Sequence, residues 1–263
     1  MKLSNFHLLF IQKLAQSRKV SSSIVDTHLK LAAELQDEYP DFVVGFDLVG
    51  QEDLGRPLVE FASQLLEAKA AYPKLNFFFH AGETDWQGSQ ADLNIMDAVL
   101  LNATRIGHGY SITKHPEVLK MAKERDIPIE VCPISNQVSF HFTLKDPMIS
   151  KCDVLFFSYL LFKVLGLVND LRNHPASKLV LEGYPIVVAS DDVASWGAQG
   201  LSDDFYEVFM AMSARTSDLS LFKTLIWNSI RYSALSSHRQ IKCQNLVETK
   251  WTSFLKSFIN ENG

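Results

Sequence analysis

Short unbroken apolar runs alternate along this chain with longer stretches in which apolar residues recur every three or four positions. The runs are Phe42–Phe46, Phe77–Phe79, Arg105-Ile106, Ile127–Val131 and Ile186–Ala189. Each is short, rich in β-branched or aromatic residues and bounded by polar or turn residues, the pattern of a strand buried on both faces. The intervening stretches carry the helical period. Ile24–Tyr39 has Val25, Leu29, Ala32 and Leu35 on one face behind a Ser21–Ser23 start, and Pro40 ends it. Leu58–Ala71, Asp92–Leu101, Pro116–Arg125, Leu165–Asn173 and Ala176–Glu182 follow, and Asp204–Ala214, Leu219–Ser229 and Val247–Ile259 close the chain. Residues 1–23 show no clear period.

Strand followed by helix, repeated, implies a parallel sheet with right-handed crossovers. An open doubly wound sheet with a nucleotide would place a glycine fingerprint after its first strand, and none is present. Polar residues able to do chemistry follow every strand instead, which favours an α/β chain forming part of a (β/α)₈ TIM barrel. Five strands cannot close eight, so the reading is a barrel lacking its first three strands, as one partial domain over residues 1–263.

Composition narrows the partners. A net charge of −5 argues against nucleic acid or an anionic membrane surface. The three cysteines, Cys132, Cys152 and Cys243, form no CxxC pair, so neither a disulfide framework nor a cysteine metal site is indicated. Lys13 interrupts the apolar patch His7–Ile11, which makes a poor signal peptide. No apolar run reaches the ~20 residues of a membrane span.

Three strand ends carry the chemistry: His80-Ala81-Gly82-Glu83, Ile106-Gly107-His108-Gly109 and Ser190-Asp191-Asp192. Imidazole nitrogen and carboxylate oxygen are zinc donors, so His80 and Asp191 are the candidate ligands. Zinc would make a water nucleophilic near neutral pH. His108 would hold or deprotonate that water, Glu83 suits a general acid, and Asp192 would anchor a substrate. Paired aspartates at one strand end raise each other's pKa unless a cation or donor holds them. His115-Pro116 and His174-Pro175 read as helix entries, and Cys132 has no activating base for a nucleophilic role.

With those residues in view, the chain resembles the secreted, growth-factor-related (type-2) branch of the adenosine deaminases. The matching blocks are Val44–Gly50, His80–Trp86, Arg105–Gly109, Pro133–Gln137, Asp170–Pro175, Ser190–Asp192, Gly200–Tyr206 and Asn228–Ser233, in family order from about Ile24 to Phe258. The resemblance implies a one-zinc TIM barrel that converts adenosine, and 2′-deoxyadenosine, to inosine and ammonia. It implies His80 and Asp191 as zinc ligands, Glu83 as proton donor to the purine ring and His108 as the group that positions and activates the zinc-bound hydroxide. Asp192 would meet the purine's other edge, with the backbone of Gly50 against the ring. It further implies an extracellular protein, and family members are often homodimers.

The departures are equally specific. The family's first two zinc ligands come from a His-x-His pair, and none of the eight histidines here is one residue from another. Only two of four expected ligands are present, so this polypeptide is expected to be impaired, and a non-catalytic, ligand-binding relative is the alternative reading. An AMP deaminase is disfavoured by the absence of clustered Arg or Lys at the strand ends. Val138–Lys163 is apolar where a surface loop should be polar, and it interrupts two family blocks. We read it as a non-family insertion of the kind a retained intron would leave.

Overall fold

The computed structural model describes residues 12–137, 166–193 and 200–262. The insertion at 138–163 lies outside the described residues, as does the first apolar patch. Six strands form one parallel sheet in chain order: β1 (Gln12–Ser17), β2 (Val43–Val49), β3 (Asn76–Ala81), β4 (Arg105–His108), β5 (Ile129–Val131) and β6 (Ile186–Val188). The sequence reading of five strands is corrected by β1. Its residues, Gln-Lys-Leu-Ala-Gln-Ser, carry too little apolar pattern to announce a strand. As an edge strand it is held by backbone pairing along β2, from Gln12 opposite Val43 to Ser17 opposite Val49. Six of eight expected strands are therefore described, two short rather than three.

The helices between strands are α1 (Ser22–Glu38), α2 (Ala62–Ala71), α3 (Gln90–Leu100) and α4 (Pro116–Glu124), then the short α5 (Pro133–Gln137) and α6 (Ala176–Leu181). The chain closes with α7 (Leu201–Glu207), α8 (Leu219–Arg231) and the 26-residue α9 (Ser237–Asn262). Strand alternation sorts the side chains. Phe77 and Phe79 point outward under the helices, where Lys69 of α2 lies 4.9 Å from the Phe77 ring centroid. Phe78 and His80 point the other way, and so do cations and carboxylates on neighbouring strands. Lys13 Nζ meets Asp47 at 2.6 Å, and Arg105 Nε meets Glu130 at 2.6 Å. Both cations also lie over the Phe78 ring, at 5.9 and 5.0 Å. Glu130, the polar exception in an apolar run, is thus explained by its partner.

Gly45 permits this packing. A Cβ there would lie 2.4 Å from the Asn76 carbonyl oxygen and 2.7 Å from the Phe78 ring. The apolar core fills the other face of the sheet, with Phe46, Leu48, Phe61, Leu65, Ile95, Ile106 and Ile129 fully excluded from solvent. Register brings the strand ends to one level: His80 is opposite Gly107 and Ala81 opposite His108, while Gly107 is opposite Glu130 and Glu130 opposite Val187. The polar segments after β2, β3, β4 and β6 therefore open on the same end of the sheet.

Candidate active site

Glu83, His108 and Asp191 come together at that end, each offering a ligand atom within 4.8 Å of the others. Glu83 and His108 are buried and Asp191 is half-buried. Glu83 Oε1 lies 3.2 Å from His108 Nδ1. His108 and Asp191 both hold left-handed backbone, with φ of 62° and 52°. Such conformations are uncommon for residues with a Cβ and cluster at functional sites. Ser135 Oγ donates to Asp191 Oδ2 at 2.6 Å, fixing one carboxylate oxygen.

His80 stands beside this cluster rather than within it. Its ring centroid is 5.0 Å from that of His108, and its Nδ1 faces the Asp47 carboxylate at 3.2 Å. Asp47 is fully buried. Burial pushes its carboxyl up, but the neighbouring His80 and the Lys13 ammonium outweigh burial and hold it at about 2. Burial alone would lower His80, and the Asp47 carboxylate raises it on balance. An Nδ1–H held by a carboxylate leaves Nε2 with its lone pair available, which is how zinc-binding histidines are commonly oriented. The chemistry of the donor set suits a metal ion: Glu83, His108 and Asp191 offer imidazole nitrogen and carboxylate oxygen within 4.8 Å of one another, and His80 stands beside them.

The remaining candidates sit at the rim. Gly50 follows β2 with φ of 102°, and the nearest atom to a Cβ built there is Ser17 Oγ at 4.0 Å, so its backbone faces open space. Asp192 is exposed beside Asp191 and is not one of the three clustered groups. His174, read as a helix entry, does accept from the Ala176 backbone N–H at the start of α6. His115 precedes α4, but its ring bonds Asp92 at 2.7 Å rather than capping the helix.

Two residues without a motif signal organise the site from beneath. Glu52, in the turn after β2, accepts the backbone N–H groups of Gly82 at 3.2 Å and Glu83 at 2.8 Å, and the Asn94 amide at 2.6 Å. Arg18, fully buried after β1, donates to the carbonyls of Leu48 at 3.0 Å and His80 at 2.5 Å. Its other terminal nitrogen is 3.5 Å from Glu52. The His-Ala-Gly-Glu turn is thus gripped at His80, Gly82 and Glu83 by one buried ion pair. The signal that could have found Glu52 is an acid in the polar turn directly after the buried strand β2.

Residues 14–144 match the family described as adenosine deaminase. The chain is 45% identical over 238 residues to adenosine deaminase 2 of Sus scrofa, covering 90% of this chain and 42% of that protein. It is 42% identical over 245 residues to an adenosine deaminase of Lutzomyia longipalpis, covering 93% of this chain and 42% of that one. In fold it is similar to an amidohydrolase from Burkholderia ambifaria solved with bound Zn, with a TM-score of 0.66 at 21% identity over 95% of this chain and 58% of that one. The chain thus spans less than half the length of these curated relatives. With the family blocks in order, the acid–imidazole–aspartate cluster in place and this degree of identity, the chain belongs to the adenosine deaminase family.

Proposed function

We propose that this chain carries the catalytic strand ends of a zinc-dependent adenosine deaminase that converts adenosine, and 2′-deoxyadenosine, to inosine and ammonia. The observation that carries the reading is the convergence of Glu83, His108 and Asp191 beside His80. His80 and Asp191 would hold zinc, whose Lewis acidity supplies a water made nucleophilic near neutral pH. His108 orients that water toward carbon 6 of the purine. Glu83, buried against His108, protonates the adjacent ring nitrogen as carbon 6 becomes tetrahedral, so charge on the ring is neutralised as it forms. As the carbon 6–amino bond breaks, the proton of the new carbon 6 hydroxyl passes to the amino group, which leaves as ammonia while the oxygen becomes the carbonyl of inosine. Asp192 at the rim meets the other edge of the purine, and the open backbone of Gly50 lies against the ring. The same reading treats residues 1–263 as one partial barrel domain with an insertion at 138–163, and places the protein outside the cell, in a family whose members are often homodimers.

The His-x-His pair is absent from these residues. A polypeptide of these 263 residues alone is therefore expected to bind zinc weakly and to turn adenosine over slowly or not at all. That absence is also what favours the second reading, a ligand-binding relative without turnover. The test is ammonia release and the ultraviolet change from adenosine to inosine, measured on the complete zinc-loaded gene product and on its Glu83→Gln variant. We expect turnover of adenosine well above that of AMP, and a kcat lower by about 10²–10⁴-fold in the variant with KM little changed. A zinc-loaded complete product that binds adenosine without deaminating it would overturn the enzyme reading in favour of the second.

A further inference from the structure

Behind His108 runs a buried chain of polar groups that the reaction above does not use. It begins at a donor whose direction is fixed: the backbone N–H of Ala176 lies 3.0 Å from His174 Nδ1. A backbone N–H can only donate, so that Nδ1 is an acceptor and the His174 hydrogen is on Nε2. His174 Nε2 is 3.1 Å from Asn136 Oδ1, which accepts it. The Asn136 amide is thereby oriented with Nδ2 outward, 3.4 Å from His108 Nδ1. An amide NH₂ also can only donate.

We propose that Asn136 and His174 are positioning residues that hold His108 in its Nε2–H tautomer, with Nδ1 an acceptor. Asn136 is fully buried and His174 is 1% exposed, so water does not compete for these groups. The surroundings clamp the pair. Asn136 O accepts from the Leu167 amide at 2.9 Å, the Tyr110 hydroxyl donates to Leu167 O at 3.0 Å, and the Tyr110 ring packs edge-on to His174 at 5.0 Å. Burial also lowers His174 to about 4, so its ring is neutral through the physiological range and the polarity of the chain is not reversed by protonation. One consequence bears on the neighbouring acid. Glu83 Oε1 lies 3.2 Å from the same Nδ1. Nδ1 has one lone pair, so with Asn136 donating to it the Glu83 proton is left to face the purine rather than His108.

The inference deepens the deaminase reading, but its first test needs no substrate. The chain, zinc-free and labelled with ¹⁵N-histidine, is examined by NMR of its imidazole nitrogens, which separates protonated from bare nitrogen. His108 and His174 should each show a bare Nδ1 and a protonated Nε2. Asn136→Asp keeps the shape but presents only acceptors, so the His108 proton should move to Nδ1. His174→Phe should leave His108 in mixed tautomers, while His174→Gln, which restores a donor, should keep the original pattern. Should His174→Phe fail to fold, the isosteric Asn136→Asp carries the test alone. In the complete zinc-loaded enzyme, His174→Phe should lower kcat by about 10–100-fold with KM within about twofold, and His174→Gln should recover most of it. A His108 protonated at Nδ1 in the unaltered chain, or unmoved by Asn136→Asp, overturns the proposal while leaving the deaminase reading intact. The expected tautomers in a protein that does not deaminate adenosine would support the proposal and defeat that reading.

Discussion

Replacing Glu52 by alanine should cost this fold more than any single change at its surface. The carboxylate is 3% exposed and gathers groups from three elements: the Gly82 and Glu83 amides after β3, the Asn94 amide of α3, and the Arg18 guanidinium after β1. Asn94 in turn accepts the Leu58 amide at 2.8 Å, so the effect extends to the segment leading into α2. Removing the carboxylate leaves a fully buried cation without its counter-charge, and breaking a buried pair in this way costs about 3–5 kcal/mol. Two backbone N–H groups lose their acceptor as well, each carrying a penalty of about 1–3 kcal/mol where water cannot reach it. These contributions overlap, so about 4 kcal/mol is the working figure, a large share of the 5–15 kcal/mol typical of a whole domain. At roughly 2–4 °C per kcal/mol, the thermal midpoint should fall by about 10 °C. Urea unfolding of Glu52→Ala, Arg18→Met and the double variant measures the coupling. Removing the orphaned cation should make the double variant less destabilised than the sum of the singles, by about 1–3 kcal/mol. Strict additivity, or a Glu52→Ala loss under about 1 kcal/mol, would refute the view that this pair holds the catalytic turn.

Two further predictions rest on buried groups near the site. Asp204 is excluded from solvent, and burial raises its carboxyl to about 6 despite hydrogen bonds from the Ile134 amide and the Ser190 hydroxyl. An unfolded aspartate ionises near 3.9, so the Asp204 contribution is fully present below about pH 4 and is lost as pH rises through 6. Its size is about 2–3 kcal/mol, and the difference between the stability–pH curves of the unaltered chain and Asp204→Asn should show that loss. Cys132 is buried, and burial together with the Glu130, Asp191 and Glu83 carboxylates pushes its thiol up. Alkylation followed by peptide mass spectrometry should modify Cys243 in the native chain and Cys132 only after denaturant is added; native labelling of Cys132 at a comparable rate would contradict the packing.

What the sequence disclosed, and what it withheld, follows from how each element is stabilised. Phe77-Phe78-Phe79 declares itself because a strand under helices must be apolar on the outer face, and Phe78 fills the inner one. The alternation of such runs with helical periods was enough to give the parallel α/β order. β1 gave no such signal, because its pairing to β2 is through the backbone and its inward Lys13 serves Asp47 rather than an apolar core. Chemistry divided in the same way. His80, Glu83, His108 and Asp191 stand at strand ends, where short motifs with small residues mark a turn. Arg18, Asp47, Glu52, Asn136 and His174 act through partners 28 or more residues away in sequence, and spacing alone cannot announce them.

The polar groups withheld by the sequence also explain why the motif residues are held in place. Three of the motif side chains have a partner on a neighbouring strand or in the segment after it: buried Asp47 for His80, buried Asn136 for His108 and half-buried Ser135 for Asp191. Glu83 is held through its own backbone by Glu52. Taking one of these partners away should alter the orientation of a catalytic group more than its identity. Variants in that set are expected to lower turnover with little change in purine binding, because orientation within a few tenths of an ångström matters most where atoms react. The rim positions, Gly50 and Asp192, should behave in the opposite way. On the proposed reading they would meet the bound ring, so Asp192→Asn should raise KM before it lowers kcat.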